Sequence, residues 1–328
     1  MRVGIWSNYE QFNDDAVFFS SDSYKLSEGL EKPFQELKLL FETNGHTFEV
    51  LKPDHLREFD AAVFLDFPAQ SPHLVASLKV LAIPAYLVIL ESEIVHPANW
   101  NAANYDNFET IFTWSTLPSV GGKVVYSPIP QYFSPVGEVA FEKKKLLCLI
   151  SGNKTATDKR ELYTARRKAA RWMERNHPHD FDLYGFGWEK GGPRDSWFWL
   201  PDGPFPSYRG SIANKRQTLS QYKFSLCFEN VQGIPGYLTE KLFDCLFSAS
   251  VPIYWGAPDV AALVPRDCYL LFSDYRNLKE LYGHLTEMTA AEYSILLANQ
   301  KRFLGSPEAQ PYSAQGFSER LFQHIAGK

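Results

Sequence analysis

Cysteine is scarce in this 328-residue chain, and the four present, Cys148, Cys227, Cys245 and Cys268, sit inside or beside apolar runs with no C-x-x-C spacing. That pattern argues against a disulfide framework or a zinc ribbon and predicts buried thiols in a reducing compartment. Long hydrophobic runs are missing as well, and the opening MRVGIWSNYEQF turns polar almost at once. No signal peptide or transmembrane segment is therefore expected, and the predicted location is cytoplasmic. Blocks of like charge are absent, and 33 Lys+Arg against 38 Asp+Glu leave a net charge of −5, so no field for nucleic acid exists. There is no G-x-S-x-G elbow, no G-x-x-x-x-G-K phosphate loop and no internal repeat. Gly185-Phe186-Gly187 only approaches a dinucleotide fingerprint, its third glycine being wrongly spaced.

What is present is α/β alternation. With 45% hydrophobic residues the chain can bury two ordinary cores. Strand-like runs at 3–6, 62–66, 85–90 and 111–114 alternate with helical stretches at 33–43 and 74–81. A second series follows at 146–150, 181–185, 224–228, 251–255 and 269–272. Two such series predict two Rossmann-like domains, 1–138 and 139–328, with a seam where Ser134, Pro135, Gly137 and Glu138 interrupt the periodicity. The aromatic, proline-rich stretch 185–210 reads as an ordered loop, and 317–325 as an amphipathic helix.

The most informative segment is FSLCFENVQGIPGYLTEKLFDCLFSASVPIYWGAP, 224–258. Phe224 to Phe228 is continuous enough in apolar character to be a strand covered on both faces, ending in Glu229 and Asn230, which should point to a crevice outside the strand's carboxyl end. Pro235 and Gly236 make a turn, and Thr239 is the candidate cap of the following helix. On that helix Leu242, Cys245 and Leu246 share an apolar face, leaving Glu240, Lys241, Asp244 and Ser248 outward. A lysine in a first turn adds a full charge to amide N–H groups that already favour an anion.

With Phe224, Leu226, Phe228, Glu229 and Asn230, then Tyr237, Thr239, Glu240 and Lys241, then Val251, Pro252 and Gly256, this segment resembles the family 10 glycosyltransferases, the α1,3/4-fucosyltransferases. The resemblance implies the GT-B architecture of two facing Rossmann-like domains, the first for the acceptor and the second for GDP-fucose, with the last helix packing back on the first domain. It implies an inverting transfer of L-fucose to an N-acetyllactosamine-like or other oligosaccharide, with GDP-fucose as donor substrate and no cofactor or metal. Inversion in one step needs a base and a stabilised leaving group. For the base the family places a glutamate after a first-domain strand, here Glu91, with Glu93 as the alternative. For the diphosphate it adds to Lys241 an arginine from the first helix of the donor domain, matched best by Arg166, with Arg160 and Arg167 as alternatives. Glu240 matches the ribose-binding residue, and Asn230 and Tyr237 match residues lining the nucleotide.

Asp180-Phe181-Asp182 is a D-x-D, but it precedes its strand and reads as structural. His177 and His179, flanking Pro178, read as solvated. Two other functions remain compatible with the pattern: a transferase using another nucleotide sugar, and a carbohydrate-binding protein without turnover.

Overall fold

The computed structural model describes residues 1–20, 29–115, 123–189 and 203–327. The chain divides into two units, Met1–Tyr132 with Pro307–Lys328, and Phe133–Ser306. The division precedes the 138/139 seam expected from sequence because Phe133 already belongs to the second core, packing on Phe247 at 5.1 Å, and Val136 donates its N–H to the Phe247 carbonyl at 2.9 Å. Of the stretch 185–210, residues 190–202 lie outside the described residues.

The first unit holds six parallel strands, β1 (Arg2–Ser7), β2 (Thr47–Val50), β3 (Ala61–Leu65), β4 (Ala85–Ile89), β5 (Thr110–Thr113) and β6 (Val124–Tyr126), ordered β2-β1-β3-β4-β5-β6. Every residue of β3 (AAVFL) and β4 (AYLVI) is buried, as expected of interior parallel strands covered on both faces. The edge strands β2 and β6 have one neighbour each and carry no such run, which is why their short TFEV and VVY sequences gave no strand signal.

The helix Ala314–Ile325 also belongs to this unit and lies against the helix Lys32–Thr43. Phe317 stands edge-on to Phe34 at 5.8 Å, Phe322 packs on Phe41 at 5.0 Å, and Ser318 Oγ donates to the Pro33 carbonyl at 3.1 Å. A parallel bridge between Gln131 and Ser313 ties down the chain just before it.

The second unit holds β7 (Lys145–Ile150), β8 (Phe181–Tyr184), β9 (Tyr222–Phe228), β10 (Val251–Trp255) and β11 (Leu270–Leu271), ordered β11-β10-β9-β7-β8 and parallel throughout. The chain leaves β7 for β8 on one side and then returns to place β9 on the other. The strand order therefore reverses between β7 and β9, and ligands of open α/β sheets bind at such a switch point, outside the strands' carboxyl ends.

Phe317 is fully buried between the terminal helix and the first core. Phe317→Ala should cost about 3–5 kcal/mol, read as a lowered urea midpoint. An unchanged midpoint would show that the terminal helix adds nothing to the stability of the first unit.

Candidate functional site

Glu229 follows β9 directly, is 0% exposed, and continues the ladder by donating its N–H to the Trp255 carbonyl at 2.8 Å. Its carboxylate turns inward to the start of the helix Glu240–Phe247, where Oε1 accepts from Thr239 N–H at 2.9 Å and Oε2 from Thr239 Oγ1 at 2.7 Å. Lys241 Nζ lies 3.2 Å from Oε2 and 3.0 Å from Thr239 Oγ1. The expectation that Glu229 points to the crevice is thus corrected: an unpaired buried carboxylate is too costly, so it takes the three donors of the helix start. Room for it comes from Gly256, where a Cβ would sit 2.5 Å from Glu229 Cγ.

The outward face assigned to the helix is corrected too. Asp244 and Ser248 are 1% and 0% exposed. Asp244 is held by Lys215 at 2.8 Å and Arg216 at 3.0 Å, residues of the preceding helix Lys215–Leu219, which covers the polar face. Lys215 also reaches Glu240 at 3.6 Å, and Lys241 reaches it at 3.5 Å. Burial alone would raise the Glu240 carboxyl, but these two ammonium groups win and hold it at about 2. Burial likewise lowers Lys241, yet Glu240 and Glu229 overcome it and keep the lysine protonated. Lys215 was missed in the sequence reading, although Asn214 capping its helix directly before it is a readable signal.

Arg166 lies on the helix Tyr163–Asn176 but is 2% exposed. Its Nε and Nη2 donate to the Phe228 carbonyl at 3.2 and 2.6 Å, and Nη2 also donates to Asn230 Oδ1 at 3.1 Å. The guanidinium therefore fixes the end of β9 and the side chain of Asn230. Arg167 is also buried, bonded to the Lys154 carbonyl and Thr164. Arg160, 43% exposed at its side chain, pairs with Asp158 at 2.8 Å, and its carbonyl accepts from Gln232 N–H at 2.9 Å, beside the loop that follows β9. Tyr237 is 1% exposed, its hydroxyl accepting from Asn230 Nδ2 at 3.4 Å. Gly236 takes φ +79°, and its N–H donates to Asp259.

In the first unit Glu91 follows β4, with Oε1 accepting from the Tyr9 hydroxyl at 3.3 Å. Its own N–H donates to Asp66 at 3.1 Å, whereas Glu93 stands past the buried Ser92. The D-x-D is used internally: Asp182 on β8 pairs with Lys145 at 2.8 Å and Arg209 at 2.6 Å, and Asp180 accepts from the Tyr282 hydroxyl. His177 is not solvated as expected but stacks on Tyr282 at 3.4 Å. Among the described residues no group of three His, Cys, Asp or Glu side chains could hold a metal ion, and no helix is long and apolar enough to cross a membrane.

Residues 140–296 match the family described as glycosyltransferase family 10 (fucosyltransferase), C-term. The chain carries a family 10 glycosyltransferase domain. A 108-residue stretch is 36% identical to the alpha-(1,3)-fucosyltransferase FucT of Helicobacter pylori, covering 33% of this chain and 22% of that protein. A 70-residue stretch is 40% identical to the alpha-(1,4)-fucosyltransferase of Arabidopsis thaliana, covering 21% of this chain and 17% of that protein. The matched stretch thus spans about a fifth of each relative's length, 22% and 17%. In fold the chain is similar to a crystal structure of an alpha1,3-fucosyltransferase with GDP-fucose, with a TM-score of 0.55 and 16% identity over 99% of this chain and 90% of that one. The two parallel-sheet units are of the GT-B type. The family 10 domain takes in the whole Glu229 network, while Glu91 lies outside the match.

Gly256→Ala should push Glu229 off Thr239 and Lys241, and a crystal structure of that variant with the network unmoved would contradict the steric argument. Acid should loosen the family 10 domain. A Glu240 carboxyl at about 2 in the folded chain against 4.5 ordinarily contributes stability that is full above about pH 4.5 and lost as pH falls towards 2. Thermal melting across that window checks the sign, and Glu240→Gln should flatten the slope.

Proposed function

We propose that this protein is an inverting α1,3-fucosyltransferase that moves L-fucose from GDP-fucose to a hydroxyl of an N-acetyllactosamine-like or other oligosaccharide. The observation that carries this is Lys241: a protonated ammonium fixed by Glu229 in the first turn of a capped helix, at the end of β9 beside the sheet's switch point. Helix amide groups and a lysine together suit a diphosphate, and a charge-assisted contact is worth about twice a neutral one. The pairing with GDP-fucose in the similar solved structure and the fucosyltransferase relatives support the same donor.

In this reading the acceptor oxygen attacks the anomeric carbon as the bond from that carbon to the phosphate oxygen breaks, and the hydroxyl proton passes to the Glu91 carboxylate. Lys241 and the helix start take up the charge that develops on the departing GDP. Glu240 accepts from the ribose hydroxyls, its carboxylate kept ionised by Lys215 and Lys241. Asn230 meets the nucleotide, with Tyr237 behind it. Of the three arginines, Arg160 is the one whose exposure suits a phosphate, and Arg166 acts through Asn230 and the Phe228 carbonyl. These cations neutralise the diphosphate from the protein's own side chains.

Lys241→Ala should weaken GDP binding by about tenfold to a hundredfold, as for loss of a charged hydrogen-bonded partner, with a melt that stays cooperative but moves to lower temperature, because Glu229 and Glu240 lose a buried counter-charge. Calorimetry with GDP-fucose, GDP-mannose and a uridine-diphosphate sugar decides the donor, and binding of the uridine compound alone would overturn the reading. Glu91→Ala should slow transfer by about 10² to 10⁴ while GDP affinity holds. Full turnover in that variant would remove Glu91 from the base role.

A further inference from the structure

The first sheet has its own switch point. In the order β2-β1-β3 the direction of winding reverses between β1 and β3, and the residues just past the strands' carboxyl ends there are Asn8 and Tyr9 after β1, Asp66 after β3, and Glu91 after the neighbouring β4. Two of these, Asp66 and Asn8, are fastening points, and the other two, Tyr9 and Glu91, are what they fasten.

Asp66 is 3% exposed and takes φ +59°, a left-handed conformation that is unfavourable for a non-glycine residue and persists where the surroundings over-determine it. Its Oδ1 accepts from Leu90 N–H at 2.8 Å, Glu91 N–H at 3.1 Å and Asn99 Nδ2 at 2.6 Å. Asn99, itself 0% exposed, accepts from Phe67 N–H at 2.6 Å. On the carbonyl side, Trp114 Nε1 donates to Leu90 O and Trp100 Nε1 to Glu91 O, each at 3.2 Å. The backbone that carries Glu91 is thus held by both its N–H and its C=O, and the side chain is met by the Tyr9 hydroxyl.

Tyr9 is fastened in the same manner. Asn8 N–H donates to the Leu65 carbonyl at 3.0 Å, Asn8 Oδ1 accepts from Ala69 N–H at 3.3 Å, and Tyr9 N–H donates to Ser7 Oγ at 3.1 Å. Phe12 braces the ring edge-on at 6.3 Å. Yet the side chain is 42% exposed, in a unit whose other aromatic rings are mostly core, and its hydroxyl donates to Glu91 Oε1 at 3.3 Å.

We propose that Tyr9 and Glu91 together form the acceptor subsite and that its ligand is a pyranose. The C–H face of the sugar lies on the exposed Tyr9 ring, whose π face is electron-rich, and one sugar hydroxyl takes the place at Glu91 Oε1 that the Tyr9 hydroxyl occupies here. This rests on Glu91 being the base. Tyr9 selects by presenting a flat apolar surface at a fixed distance from a carboxylate, so an acceptor lacking a sugar C–H face beside its reactive hydroxyl is rejected.

The test uses the full chain and whichever of lactose and N-acetyllactosamine the wild type fucosylates with the higher kcat/KM. Tyr9→Ala should raise the acceptor KM by about tenfold or more, while the GDP dissociation constant by calorimetry stays within about twofold. Tyr9→Phe keeps the ring and should leave the acceptor KM within about threefold. An unchanged acceptor KM in Tyr9→Ala, or a Tyr9→Phe variant as impaired as Tyr9→Ala, would overturn the subsite. The outcome is separable from the base assignment: turnover surviving in Glu91→Ala with a raised KM in Tyr9→Ala sinks the base and keeps the platform, and the reverse pattern sinks the platform alone.

Discussion

Glu229 is a carboxyl group at zero exposure, and the second site is arranged around supplying it with donors. A carboxylate at zero exposure must find donors within the protein or lose its ionisation. It finds Thr239 twice and Lys241 once, so the start of the helix Glu240–Phe247 is drawn onto the end of β9 and cannot drift from it. The requirement propagates. Gly256 has to lack a side chain to leave space for the carboxylate, and Arg166 has to bond the Phe228 carbonyl one residue earlier so that the strand end stays in register. A ligand that meets Lys241 meets a charge already positioned, with little side-chain entropy left to lose.

The first unit also buries an acid past a strand end, but meets it with amide donors and, among the described residues, no lysine or arginine. Asp66 is a buried carboxyl group one residue past a strand, and its bonds go to the backbone N–H groups of Leu90 and Glu91 instead of to a cap. In both units the hidden acid organises and the group beside it is less deeply buried: Lys241 beside Glu229, Glu91 beside Asp66. Buried charges of this kind are weak stabilisers, because desolvation offsets most of their attraction. Their contribution is to orientation.

Legibility in the sequence followed burial. Strands β3, β4, β9 and β10 are interior and parallel, so their residues are apolar on both faces and stand out as runs, whereas the edges β2 and β6 have one open side and carry no run. The second site was legible as a pattern because its residues lie within one strand, turn and helix, and local chemistry such as the Thr239 cap can be read from spacing. Direction was not legible. The helical wheel sent Asp244 and Ser248 to solvent, and only the packing of the helix Lys215–Leu219 over that face made Asp244 a buried partner of two cations, while Ser248 Oγ donates to the Asp244 carbonyl. The choice among Arg160, Arg166 and Arg167 failed to resolve for a related reason, since a guanidinium on a helix is equally compatible in sequence with solvent, a ligand or a backbone carbonyl.

The sequence alone was sufficient for the α/β alternation, the resemblance in the segment from Phe224 to Pro258, and the residue types of an anion site, because each depends on contacts between near neighbours in the chain. Tertiary structure decided which polar groups are spent inside and which keep some exposure. That Glu229 belongs to Thr239, that Arg166 belongs to Phe228, and that Tyr9 meets Glu91 are facts about residues brought together by sheet order, 82 positions apart in the last case. Spacing cannot encode them, since which donor a buried charge takes is settled only when the chain has closed around it.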